Sequence, residues 1–244
     1  MKGFGFKLVA LMSVLFVFVH GVALLVPAAV FRYLILPLAN RGLLGFVGAV
    51  FLVVVDFLLL LIMLVVTTGL AARLLGLRYS GEHEVDLRIP AVRNWLLNFT
   101  VYFPTAVIID FLHLYSLKTL HVSLLGGKVG RGVVLAGMIT DPCLIEVGDY
   151  SNIGGFSTVM CHSTERGRIR FAPVRIGRNC GVGTRSTVLA GATLEDGAML
   201  GAGSLLPKYV TIPAGETWGG VPARPLPATK VVPRSKPEGS DKPQ

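Results

Sequence analysis

The sequence predicts a left-handed parallel β-helix of about five coils, preceded by an α-helical transmembrane hairpin and an interfacial helical segment. Three observations lead there. An apolar residue recurs every six positions in the C-terminal half, two nearly charge-free runs occupy residues 1–76, and residues 125–226 are rich in Gly and small side chains but poor in aromatics.

The repeat is clearest from residue 176, where Ile176, Val182, Val188, Leu194, Leu200, Leu206, Ile212 and Trp218 follow one another at intervals of six. Four residues after each of the first six stand Cys180, Ser186, Ala192, Ala198, Ser204 and Val210, nearly all small. The same register upstream gives Val129, Leu135, Val147, Ile153 and Val159, with Asp141 alone out of type. A helical period would drift out of phase over this length, whereas a short strand plus a corner holds a six-residue unit. Three units close one triangular coil, and coils stack by parallel pairing.

The register breaks once, between Val159 and Ile176. The segment Ser163–Val174, STERGRIRFAPV, is charged and lacks the repeat's signature, so it reads as a loop leaving the prism with His162 at its root. Loops on rigid scaffolds are common places for binding and catalytic groups.

In the front half, Leu8–Phe31 and Leu43–Val66 are runs of 24 residues each, and Asp56 is the only charge in either. About 20 apolar residues span a bilayer, and the intervening loop with Pro37, Asn40, Arg41 and Gly42 is short, so a hairpin is expected. Lys2, Lys7, Arg73 and Arg78 against Arg32 and Arg41 favour both ends on the cytoplasmic side of the cell (inner) membrane, with a multi-pass arrangement and a cytoplasmic prism. A cleaved signal peptide is disfavoured by the length of the first run. His20 and Asp56 fall at nearly the same depth of an antiparallel hairpin and are expected to pair as a clasp. Residues 91–120, interrupted by Pro104, Asp110 and His113, read as an interfacial helix pair rather than a third span. The expected organisation is therefore a hairpin over 1–76 (spans about 8–31 and 43–66), a connecting segment over 77–120, the β-helix over 121–226 and a disordered tail over 227–244.

Composition limits the function. The chain has 244 residues, 52% of them hydrophobic, and a mean hydropathy of +0.67, which fits a membrane-attached protein. The net charge of +9 suits a lipid surface or a phosphate-bearing ligand, while no nucleic-acid-reading motif is present. Cys143, Cys161 and Cys180 are odd in number and show no close metal-type pair, as expected of reduced thiols in a cytoplasmic domain.

Residues 121–226 resemble the hexapeptide-repeat acyltransferases. The resemblance rests on the repeats, on Cys161-His162 with the loop and Pro173-Val174-Arg175-Ile176-Gly177 after it, and on Trp218-Gly219-Gly220-Val221-Pro222-Ala223, which looks like the family's closing signature. With the hairpin in front, the chain also looks like the membrane-embedded acetyltransferase-like units of poly-amino-acid (polylysine-type) synthetases. The resemblance implies a homotrimer with active sites between neighbouring prisms, acetyl-CoA or another acyl-CoA as co-substrate, and His162 as catalytic base. It also implies coenzyme contacts from Arg185, Ala202, Lys208 and Arg224. No metal is expected, and small-molecule, glycan and peptide acceptors all stay open.

Imidazole suits the implied role because its proton affinity lies near working pH. Glu165 could orient that imidazole or meet the acceptor, and Asp149 and Tyr150 are further acceptor candidates. Cys161 beside His162 would point to the opposite face of a strand, so a thiol nucleophile is disfavoured. Arg166, Arg168, Arg170, Arg175, Arg178 and Arg185 form either an anion site or a solvated basic face. Three alternatives stay open: a carrier-bound acyl or aminoacyl thioester as donor, a zinc hydratase of the carbonic anhydrase type, for which the histidines are too few, and a non-catalytic scaffold.

Overall fold

The computed structural model describes residues 5–227, so all but Pro227 of the expected tail lies outside the described residues. Helix α1 (Phe6–Val30) runs through one π-helical segment (Phe31–Ile35) into α2 (Leu36–Ala39). A turn at Asn40–Arg41 then reverses the chain into α3 (Gly42–Leu74). The two apolar helices, Phe6–Ala39 and Gly42–Leu74, are 34 and 33 residues long, enough by length and composition to cross a membrane. Both run past the ends that hydropathy alone sets, because a helix need not stop where polar residues resume. Their outer faces are apolar and exposed, as at Leu44, Phe51 and Val55.

The clasp between His20 and Asp56 does not form. His20 Nδ1 turns back 2.9 Å from the carbonyl of Phe16, one turn earlier on its own helix, and the ring stacks on Phe16. His20 Nε2 and Asp56 Oδ1 have no hydrogen-bond partner. A local backbone acceptor is always within reach on a helix, whereas the partner across the hairpin requires both rotamers to agree.

Residues 90–124 are the expected helix pair, α4 (Pro90–Phe111) and α5 (Tyr115–Leu124), broken at His113, whose φ is 56°. Leu97 and Val101 of α4 pack on Leu8, Met12, Leu15 and Val19 of α1 and on Ala71 of α3. Val122 of α5 joins the prism's core instead. The pair is thus a wedge between hairpin and prism. A strand that hydropathy does not announce, Gly81–Glu84, precedes it.

The prism is a left-handed parallel β-helix whose first rung begins at Lys128. Its three faces carry five, five and four parallel rungs, built on stacks such as Val129–Val147–Ile176–Leu194–Ile212 and Ile139–Val159–Val188–Leu206. These inward residues form one continuous core. The register differs from the sequence reading at one place. Ile139 fills the inward slot that strict six-residue spacing gives to Asp141, and a 3-10 turn over Pro142–Leu144 restores phase before Val147. Asp141 is left fully buried just beyond the rung.

Candidate active site

Rungs normally stack on the residue 18 positions earlier, as Leu194 does on Ile176. Ile176, Val182 and Val188 instead pair 29 positions back, with Val147, Ile153 and Val159. The 11 extra residues leave the prism after Val159. They form an antiparallel hairpin rather than an open loop, with strands His162–Glu165 and Arg168–Phe171. Arg166 and Gly167 make its two-residue turn with φ of 48° and 77°, the left-handed pair that tight hairpins need and that glycine supplies without strain. Ile169 and Phe171 point inward while Arg168 and Arg170 point out, the alternation of a half-buried strand.

The strand Gly81–Glu84 adds to this hairpin as a third, antiparallel member. Glu82 lies between Arg168 and Arg170, 2.6 Å from the first Nε and 2.8 Å from the second. Behind it Tyr79, Val92, Trp95, Ile169 and Phe171 form a small apolar cluster of their own.

His162 sits where the hairpin leaves the prism. Its side chain is 18% exposed, and Nδ1 lies 2.7 Å from Oδ2 of Asp141, which is fully buried. The same oxygen accepts from Thr140 Oγ1 at 2.7 Å and from the Cys161 N–H at 3.2 Å. Oδ1 accepts from Tyr79 Oη at 3.3 Å and Trp95 Nε1 at 3.2 Å. A carboxylate taken from water survives burial only when its lone pairs are met, and here five donors meet them. Trp95 also lies against the imidazole, ring centroids 5.1 Å apart.

Asp141, Tyr79 and Trp95 are the residues that sequence reasoning missed. One signal was present, since Asp141 was the single residue out of type in the repeat.

The remaining residues named from sequence scatter. Glu165 does not reach His162; it pairs with Lys208, and that ammonium holds its carboxyl below the usual range. The place on the imidazole offered to Glu165 belongs to Asp141, because the hairpin carries residue 165 outward. Lys208 follows the rung Leu205–Leu206, two coils along from the rung that leads into His162, so it shares that edge of the prism. Arg185 and Ala202 occupy a different corner, stacked on successive coils, where Gly203 N–H bonds the Thr184 carbonyl at 2.9 Å. Arg224 lies on a short strand at the C-terminal end, paired antiparallel with Thr217–Gly219. The four coenzyme candidates are therefore not gathered in one place within a single protomer.

Asp149 serves a third corner, accepting from the Arg131 N–H at 2.7 Å, with Tyr150 exposed beside it. Among the arginines, Arg168 and Arg170 bind Glu82, Arg178 binds Asp196 and Arg175 lies 3.7 Å from Glu146, so much of the basic face is internally paired. The Cys161 thiol is buried in the core, and burial pushes its proton affinity well up, which suits packing rather than nucleophilic attack. On the far side of Tyr79 an open cavity of about 1070 Å³ is lined by Arg73, Arg78, His83, Asn94 and Cys143, with no acidic side chain.

Residues 173–207 match the model of the hexapeptide repeat of succinyl-transferase. The chain is 32% identical over 103 residues to the delta-poly-L-ornithine synthetase of Acinetobacter baumannii, covering 42% of this chain and 8% of that protein. It is 35% identical over 101 residues to the putative acetyltransferase YvoF of Bacillus subtilis, covering 40% of this chain and 58% of that one. Over 118 residues it is 34% identical to the mitochondrial gamma carbonic anhydrase 2 of Arabidopsis thaliana, at 41% of this chain and 40% of the relative. The chain thus spans less than two thirds of the length of each of these relatives. On the repeat, the prism and these likenesses together, the β-helix of this chain is similar to those of the hexapeptide-repeat acetyltransferases.

Proposed function

We propose that this chain is a membrane-bound acyltransferase that moves an acyl group, acetyl in the simplest case, from acyl-CoA to a hydroxyl or amine acceptor, with His162 as general base. The observation that carries the reading is the buried Asp141 carboxylate 2.7 Å from His162 Nδ1. With Nδ1–H donated to Asp141, Nε2 is the bare nitrogen, free to take the acceptor's proton as its oxygen or nitrogen attacks the thioester carbonyl. The C–S bond then breaks, and the proton held on Nε2 passes to the leaving thiolate. No covalent acyl-enzyme is needed when both substrates are held together. Lys208 and Glu165 lie along the same edge of the prism and are the nearest candidates for contacts to the coenzyme and the acceptor.

The hairpin anchors this chemistry in the cell (inner) membrane with the prism on the cytoplasmic side, where acyl-CoA is made. The expected assembly is a homotrimer, in which Arg185, Ala202 or Arg224 of one prism can face His162 of the next. A carrier-bound aminoacyl thioester is the second reading for the donor, favoured by the likeness to a poly-amino-acid synthetase. Among the described residues no three His, Cys, Asp or Glu side chains are placed to share an ion, and a zinc site of the carbonic anhydrase type needs several histidines.

The test is release of free CoA thiol from acetyl-CoA by the purified full chain, offered a panel of sugar, amine and amino-acid acceptors. Turnover with at least one acceptor, lost in His162→Ala, is expected. An equal rate in His162→Ala would sink the assignment.

A further inference from the structure

The two oxygens of Asp141 are served by different parts of the chain. Oδ2 accepts only from the prism and the root of its hairpin, from Thr140, the Cys161 backbone and His162. Oδ1 accepts only from Tyr79 and Trp95, which stand in the segment between the membrane hairpin and the prism. We propose that Tyr79 and Trp95 are positioning residues of the base: they fix Asp141 from outside the β-helix and draw charge from its carboxylate, and so set how tightly His162 holds a proton. The kinetic consequence rests on His162 being the base; the hydrogen-bond role does not.

Several contacts hold these donors in place. Asn98 Nδ2 donates to Tyr79 Oη at 3.4 Å, and the Tyr79 ring packs on Phe171 with centroids 4.7 Å apart. Trp95 touches both Phe171 and the His162 ring, so its indole N–H is aimed by packing on two sides. The strand Gly81–Glu84 ties the segment to the excursion through four paired residues. A β-helix deprived of residues 79–95 would lose both of the donors that Oδ1 has.

The buried tyrosines and thiols around the pair carry no charge near neutral pH. Burial pushes Tyr79 and Tyr102 well above the usual tyrosine range and Cys161 well above the usual thiol range. Burial likewise moves the Cys143 thiol to about 11, with Arg78 close enough to pull slightly the other way. Each of these four therefore stays neutral across pH 5–9. On the outer edge the Lys208 ammonium holds the Glu165 carboxyl below its usual range, so that group stays ionised over the same range.

The sign follows from simple electrostatics. Removing a donor from Oδ1 leaves more negative charge on the carboxylate, which favours the imidazolium and raises the pH at which His162 becomes neutral. Removing the carboxylate charge, as in Asp141→Asn, lowers it.

Diethyl pyrocarbonate modifies neutral imidazole only, so the rate of carbethoxylation at His162 between pH 5 and 9, followed by peptide mass spectrometry on the full chain in membranes, reads this directly. The midpoint should rise by about half to one pH unit in Tyr79→Phe and in Trp95→Phe, and fall by about one unit in Asp141→Asn. Unmoved midpoints in variants that keep the parent's circular dichroism and melting temperature would overturn the proposal. Tyr79→Phe removes one oxygen and decides alone if Trp95→Phe does not fold. If the midpoints move but His162→Ala keeps its acetyl transfer, the functional reading fails and the positioning role stands.

Discussion

Asp141 meets five donors from four stretches of chain, and that convergence leaves His162 one free nitrogen at the surface of the prism. Loss of a general base lowers rate by about 10²–10⁴-fold. His162→Ala should therefore drop acetyl-CoA turnover into that range while leaving the melting temperature near that of the parent, because the ring lies at the edge of the core rather than inside it. His162 stands out in the sequence as a candidate because it adjoins the one break in the repeat. Asp141 was half legible: its type was wrong for the slot, but its neighbours were not visible. Tyr79 and Trp95 lie 62 and 46 residues before it, and no local pattern joins residues at that distance. Glu165 was a plausible orienting group by spacing alone, yet the hairpin's direction sends it to Lys208.

Where the elements meet, α5 carries a buried histidine. His121 is 2% exposed, and its Nε2 lies 2.9 Å from Thr68 Oγ1 of α3. Burial first, and the nearby charge of Lys118 second, lower its pKa from 6.5 to about 4. The unfolded chain therefore takes up a proton between those values that the folded chain refuses. Stability from this residue is present above about pH 6.5 and is lost as pH falls toward 4, by up to about 3 kcal/mol at 1.36 kcal/mol per unit. Thermal unfolding of the full chain at pH 7.5, 6 and 5 should show this decline, and His121→Gln should flatten it. A parallel decline in both proteins would refute the linkage.

The helices and rungs were largely legible, since six-residue spacing and long apolar runs are properties of the chain itself. The strand Gly81–Glu84 was not, because Gly-Glu-His-Glu has none of the β-branched or aromatic residues that mark strands. It is a strand only because the hairpin offers it an edge. The Ile139 register was missed for a related reason: a 3-10 turn can absorb two residues without leaving a periodic trace.

At the scale of the whole molecule, α4 packs on both the start of α1 and the end of α3, so these ends of the hairpin lie on the prism's side and the Asn40–Arg41 turn lies at the opposite end. If the hairpin spans the bilayer, a cysteine at residue 40 must face away from the prism. Asn40→Cys in intact cells should react with a membrane-impermeant maleimide while the native cysteines do not, and amine cross-linking of the same membranes should stop at three copies. Protection of residue 40, or a ladder ending at one copy, would contradict the proposed arrangement.

The pairing of Glu82 with Arg168 and Arg170 also has a consequence in time. At roughly 5–20 residues per second, a ribosome needs about 4–17 s to make the 86 residues that separate Glu82 from Arg168. The segment that braces Asp141 is therefore made before its partner and must wait, unpaired, for it. An apolar waiting strand would invite wrong partners, and the charged Gly-Glu-His-Glu sequence discourages them. The weakness of its strand signature is then a safeguard during synthesis, and full activity should appear in a nascent chain only after Phe171 has cleared the ribosome.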